Sequence, residues 1–279
     1  MYQRTRFPVC ICLSLVVLLL GVASPVSAQD MAVQDEHHIM TVRQSLHHDV
    51  SPAVRDMPTV NPNARARHEA EPARRIPMPA NLKPANEPDA VLQRTAPLAP
   101  TLQAPTTGLN FDGLGSGSLG FTPNAAPPDT NGAVGATQYV QWVNESFAVF
   151  NKSTGALIAG PIAGNSLWSG FGGGCQTNND GDPIVAYDKA ANRWVFSQFS
   201  VSTTPFLQCV AVSTTSDATG TFNRYSFQYS NFDDYPKMGV WSDAYYQTFN
   251  MFSGNRFVGS DACVTDNRPR RYASSKVVL

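Results

Sequence analysis

The chain has 279 residues, a formal net charge of −1 and 42% hydrophobic residues. A charge so near zero removes the electrostatic reason to expect nucleic acid or an anionic membrane surface as partner. The length allows one or two domains.

Residues 1–28 read as a secretory signal peptide. Arg4 and Arg6 give a basic start, Val9 to Val22 an apolar stretch, and Val26-Ser27-Ala28 a small-residue cleavage site. The apolar stretch falls short of the roughly 20 residues that a membrane span needs. A secreted or periplasmic protein is expected, with no membrane span after cleavage. Cys10 and Cys12 leave with the peptide, so Cys175, Cys209 and Cys263 remain. In an oxidising compartment the default is a disulfide, and an odd count leaves one thiol over. Cys175 with Cys209 is the preferred pair, because both lie in or beside the best-formed repeat. The spacings fit no zinc pattern, and no histidine lies near them.

From residue 29 to about 108, Pro, Ala, Arg and Gln dominate and periodic apolar runs are missing. Such a segment buries too little apolar surface to offset its ordering entropy, and it reads as a disordered linker. A short helix around Gln34 to Arg43 fits the pattern. All five histidines (His37, His38, His47, His48 and His68) fall here. They read as ordinary polar linker residues before a metal-scavenging tail.

Beyond Leu109 the texture becomes strands and turns. PPDTNG (127–132) is a strong turn, with Pro to fix φ and Asn-Gly to allow positive φ. Strands are expected at Gln138 to Asn144, Phe147 to Asn151 and Ala156 to Ala159. A long Gly-rich loop (164–175) leads to the central repeat. There, Ile184 to Tyr187 and Trp194 to Phe199 read as a hairpin bounded by Asp, Asn and Gly. Strands Gln208 to Thr214 and Asn223 to Tyr229 follow. Weak alternation in the Phe147 strand suits burial on both faces. The phrase of apolar run, turn and aromatic-led strand recurs, with Tyr139, Trp194 and Tyr245 spaced by 55 and 51 residues. A period of that size suits a propeller blade. The fold class is therefore all-β: a partial β-propeller of about three four-stranded blades at 109–264. An irregular, locally basic tail follows at 265–279.

The phrases PPDTNGAVG, YVQWVN, FAVFNKSTG, NNDGDPIVAYD, RWVFSQF, CVAVSTTSDATGTF and DYPKMGVWSDAYY resemble a group of secreted bacterial β-propeller proteins. Members are mostly uncharacterised and loosely compared with sialidases. The resemblance covers about Leu109 to Val264. SDATGTF resembles the Asp-box turn of sialidase-like propellers, but Asp217 and Gly220 are separated by two residues rather than one. That turn is structural in any case and carries no catalysis. Against a closed ring of at least four blades, three blades read as a C-terminally truncated form, with the partner of Cys263 in a missing part, or else as an open three-sheet domain with a tail.

Four residues stand out as candidate site groups. Asp180 and Asp182, on the Gly-kinked NNDGDP turn, could contribute oxygens to Ca²⁺, or cap their own turn. Glu145 is the only glutamate after residue 108, at a strand end. Trp168, in the long loop, could stack on a sugar face or anchor that loop. Trp142, Trp194 and Trp241 read as blade packing. The other candidate carboxylates (Asp129, Asp188, Asp233, Asp234 and Asp243) fall mostly in repeat-equivalent turns. Arg193, Arg224 and Arg256 are not grouped by the sequence. No histidine follows residue 68, which removes a His-based triad from the domain.

The expected function is binding or scaffolding of a carbohydrate or protein ligand, with no cofactor beyond Ca²⁺. The alternative is a sialidase-like or other glycan-cleaving hydrolase whose catalytic residues are partly missing. Processing is directly testable: secreted material should begin at Gln29. Mass spectrometry that finds Met1 retained would contradict the signal-peptide reading.

Overall fold

The computed structural model describes residues 42–60, 108–123, 125–266 and 276–278. The signal peptide, residues 61–107 of the expected linker, most of the Gln34 to Arg43 stretch and most of the tail lie outside these. All described residues belong to one unit, Ile39–Leu279. No described helix is long and apolar enough to cross a membrane.

Strands β1 (Val42–Gln44) and β2 (His47–Val50) come first. Next are β3 (Asn131–Val134), β4 (Gln138–Val143), β5 (Ser146–Asn151) and β6 (Leu157–Ala163). A short helix, α1 (Gly173–Thr177), precedes β7 (Ile184–Asp188), β8 (Arg193–Ser200), β9 (Phe206–Ser213) and β10 (Phe222–Tyr229). The last four are β11 (Phe232–Val240), β12 (Ala244–Ser253), β13 (Arg256–Asp266) and β14 (Lys276–Val278). They form three antiparallel sheets in the orders β3-β4-β5-β6, β2-β10-β9-β8-β7 and β1-β14-β13-β12-β11. Each sheet holds four sequence-consecutive strands. The second and third gain a fifth from the N-terminal side, which the expectation of four-stranded sheets missed. The tail is likewise not wholly irregular, since β14 pairs with β13 and β1.

Burial explains why alternation is faint in the sequence. In β5 five successive residues are buried. Phe147 and Val149 point into the core shared with the second sheet. Ala148 and Phe150 point the other way, under Leu114 and Phe121. In β8, Trp194 and Phe196 join the first core while Val195 joins a second one with Val210, Phe227, Tyr245 and Met251 of the second and third sheets. Such strands lack the period-2 pattern of a half-exposed sheet. The rings of Trp142, Phe147, Phe196 and Phe222 follow one another at 5.0, 5.5 and 4.9 Å between centroids. Each fully buried ring contributes about 1.5–3 kcal/mol by leaving water.

Turns close on their own polar side chains. Asp188 Oδ1 accepts from the backbone N–H of Ala190 (2.9 Å) and Ala191 (2.8 Å). Its Oδ2 accepts from Tyr245 Oη at 3.0 Å, tying the second sheet to the third. Asp217 caps its turn through the Thr219 N–H at 2.8 Å and also takes a bond from Gln138 Nε2 of the first sheet at 2.8 Å.

Residues 42–60 correct the expectation of a disordered linker throughout 29–108. They form a belt across all three sheets. β1 pairs with β14, and β2 pairs with β10. The Val54 N–H then donates to Gly220 O (2.9 Å), and the Val60 N–H to Pro161 O of β6 (2.8 Å). Val54 is fully buried in the first core. Asp49 accepts from Arg224 Nε at 2.7 Å and Nη2 at 2.5 Å. His47 sits edge-on to Phe171 at 4.5 Å, and His48 stacks near Tyr225 at 6.3 Å. A few anchored residues order this stretch without an apolar period.

Cys175 of α1 and Cys209 of β9 form the expected disulfide, with Cα atoms 5.8 Å apart and a sequence separation of 34. Both are fully buried. Cys263 is buried beside Tyr229, its Sγ 3.3 Å from that hydroxyl. By the chain-entropy model a loop of this size stabilises by about 3–4 kcal/mol. Replacing both Cys175 and Cys209 by Ala should lower the stability measured by urea unfolding by that amount and steepen the transition, because the unfolded chain loses its crosslink.

Candidate functional site

The first strands of the three sheets, β3, β7 and β11, lie side by side, β7 touching both β3 and β11. The Val185 N–H donates to Asn131 Oδ1 at 2.7 Å across the β3–β7 junction. Just ahead of β3 and β7, and at a bulge inside β11 between Asp234 and Lys237, the chain makes the same unusual move. Asp129, Asp182 and Tyr235 all have positive φ, at 36, 44 and 51°. Left-handed backbone at a non-glycine residue costs about 1–3 kcal/mol and persists only where surroundings impose it.

These three residues line one cleft. Its larger part, about 330 Å³, is bounded by Asp129, Asn131, Asp182, Tyr235, Lys237 and Met238 among others. A smaller lobe of about 220 Å³ shares Asp129, Asp182 and Tyr235 and adds Asn144 and Asp234. Asn144, itself buried, donates from Nδ2 to Asp129 Oδ2 at 3.0 Å and to Pro127 O at 3.3 Å. Gly181, at φ +94°, passes so close that a Cβ there would fall 1.7 Å from Asn144 Oδ1. Lys237 Nζ lies 3.5 Å from the centre of the Tyr235 ring, and that ring is 58% exposed. The cleft therefore offers three carboxylates, one ammonium and one open aromatic face. Such a set accepts hydrogen bonds from hydroxyl or amine groups and stacks on an apolar ring face.

The residues singled out by sequence separate in space. Asp180 accepts from the backbone N–H groups of Val201 (2.6 Å) and Ser202 (2.8 Å), and from the Ser202 hydroxyl. It caps the 201–202 turn, while Asp182 faces the cleft. Among the described residues no three His, Cys, Asp or Glu side chains are grouped to hold a metal ion. Trp168 is fully buried in the first core and anchors its loop, so it offers no stacking face. Glu145 is also buried, with Asn179 Nδ2 3.0 Å from its carbonyl and 3.4 Å from Oε2. Neither residue can meet a ligand at the surface in this arrangement. Arg224 is bound to Asp49, and Arg193 Nη1 lies 2.9 Å from Asn192 O, so these arginines do not line the cleft.

Two exposed aromatics escaped the sequence reading. Tyr235 was hidden in a Pro-containing turn. Trp241, read as packing, is 70% exposed in the β11–β12 turn, beside a shallow groove with Tyr187 and Lys189. The signals that could have found them are Pro236, which marks the break in the β11 ladder beside Tyr235, and the end of that strand at Val240, which Trp241 follows. The chain matches no protein-family model, no curated protein and no solved structure.

One buried acid gives this region a pH signature. Asp233 is fully buried at the start of β11. Burial, with lesser repulsion from Asp234 and Asp261, holds its carboxyl well above the usual range, opposed by its own backbone N–H. The folded chain thus keeps a proton that the unfolded chain releases, so this group's stability contribution is complete below about pH 4 and is lost as pH rises through the folded value. Asp233→Asn should be more stable than wild type at pH 8 and lose that advantage towards pH 4, as read by urea midpoints across pH.

Proposed function

We propose that the chain is a secreted binding module with partial β-propeller architecture, and that its ligand is a carbohydrate seated at the first-strand cleft. The propeller reading is supported by three successive antiparallel sheets packed face to face with their first strands adjacent. Secretion is supported by the order of charge, apolar stretch and small residues over 1–28, with which the disulfide is compatible.

The observation that carries the ligand assignment is the convergence of Asp129, Asp182 and Tyr235 on one cleft. Carboxylates accept from sugar hydroxyls while an exposed tyrosine ring packs on the apolar face of the pyranose. The acidic lining disfavours an anionic sugar such as a sialic acid, and favours a neutral or amino-bearing one. Two carboxylates in one cleft also keep a hydrolase reading in play, since glycosidic cleavage uses such a pair. Ca²⁺, if it contributes, would engage Asp182 here rather than Asp180, whose oxygens cap a turn.

The test is a screen of neutral and amino-bearing oligosaccharides, followed by calorimetry of the best binder. Tyr235→Ala and Asp182→Asn should each weaken binding about tenfold or more, equivalent to about 1.4 kcal/mol, with the circular dichroism spectrum unchanged. Wild-type affinity in both variants would overturn the assignment. Prolonged incubation that liberates reducing ends would move the chain to the hydrolase class, and chelation followed by Ca²⁺ addition reads any metal contribution.

A further inference from the structure

Residues 47–56 occupy a site built for them along the second sheet. β2 adds to the open edge of β10, with Asn223 opposite Val50 and Ser226 opposite His47. The Ser51 N–H donates to Phe222 O at 2.8 Å, and the Phe222 N–H donates to Ser51 Oγ at 2.9 Å. Val54 fills a socket in the first core, and Arg55 Nη2 reaches Asp217 Oδ2 at 2.8 Å. At the centre is Arg224, whose side chain is only 2% exposed. Its guanidinium takes Asp49 bidentately, and Nη1 donates to Leu167 O and Ser169 O, both at 2.9 Å.

We propose that this acceptor is also filled in trans, so that two copies of the chain exchange residues 44–60 and associate as a strand-swapped dimer. Four observations point to a second copy as the occupant. Strands β7 to β10 already make the same four-stranded meander as the first sheet, so β2 can leave without interrupting the strand order. An empty acceptor exposes the β10 edge and strips a buried guanidinium of its carboxylate, which drives refilling. Asp49, Ser51, Val54 and Arg55 are each read by a different group, so an unrelated extended segment does not satisfy the site. Residues 61–107 join the belt to the rest of the chain with a contour of up to roughly 150 Å, enough to reach a neighbouring copy. Exchange of an identical element adds no new contact type and is favoured by concentration.

The experiment mixes affinity-tagged and untagged full-length chains at high concentration and recovers the tag. Untagged chain should be retained in proportion to concentration, and excess synthetic peptide of residues 44–60 should abolish that retention. The same peptide, labelled, should bind a full-length Asp49→Ala/Val54→Asp variant, whose own belt is undocked. Peptides carrying either substitution should bind at least about tenfold more weakly. If the variant does not fold, labelled peptide is offered in excess to wild-type chain, and its retention reads the same acceptor. No subunit mixing at any concentration would overturn the proposal, whether or not the peptide is retained, leaving the belt as a purely intramolecular strand. Equal binding of the substituted peptides would overturn it too, because the anchors would then not select the occupant.

Discussion

Strand β8 carries Trp194 and Phe196 to one face and Val195 and Phe199 to the other, and none of the four reaches solvent. A strand that is apolar on both sides needs a sheet against each face. The first sheet supplies one cover through Trp142 and Phe147, and the third supplies the other through Tyr245 and Met251. Neither outer sheet is an accessory, because removing either would expose a layer of aromatic side chains. The side-by-side placement of β3, β7 and β11 follows from this stacking, and the cleft beside those strands follows in turn.

Face-to-face packing alone is non-directional, and polar ties set the sheets in register. Asp217 is the clearest case. It caps its own turn, accepts from Gln138 of the first sheet and pairs with Arg55 of the belt. Partial burial would raise its carboxyl, but the bonds from Gln138, Thr219 and Arg55 outweigh that and hold it below the usual range. A depressed carboxylate contributes stability above its unfolded value that disappears as pH falls through the folded one. The tie among turn, first sheet and belt therefore belongs to neutral pH and loosens in acid. Asp233 works in the opposite sense, so the two aspartates pull the pH response of the fold in different directions.

Much of this architecture is legible in the sequence. The turn at Asp188 bounds its strands as expected and Cys175 pairs with Cys209, whereas Asn131-Gly132, read as part of a turn, opens β3 and the positive φ falls at Asp129 instead. The belt was not legible, for a physical reason. Asp49 and Arg224 are 175 residues apart, and a single valine, Val54, supplies its fully buried anchor. Ahead of a Pro- and Arg-rich stretch, such a sparse set looks like solvated linker, since no periodic apolar run announces it. The tryptophans mislead for a related reason. Trp168 among glycines suggests exposure, yet the loop folds inward and buries it. Trp241 follows an apolar run that suggests packing, yet it stands at the end of β11, where the sheet no longer covers it. Hydropathy reports what a side chain tolerates, whereas burial depends on where the strand stops.

The same distinction separates the aspartates that hold the fold from those that shape the cleft. Asp180, Asp188 and Asp217 fold their carboxylates onto nearby backbone N–H groups and serve as turn caps. Asp129 and Asp182 stand two residues ahead of β3 and β7 and are held at positive φ, while Asp234 sits beside the bulge of β11. In sequence both kinds are simply aspartate among Asn, Gly and Pro. What divides them is what surrounds the carboxylate: backbone N–H groups of a turn for the first kind, the cleft shared by the three sheets for the second. The buried amide of Asn144, bonded to Asp129 and pressed by Gly181, makes the left-handed entry into β3 depend on the turn that precedes β7. The cleft is thus not a surface feature laid over a finished core. Its carboxylates hold their positions only while the first two sheets are packed, so a change that separates those sheets would disperse the cleft before it unfolded either one.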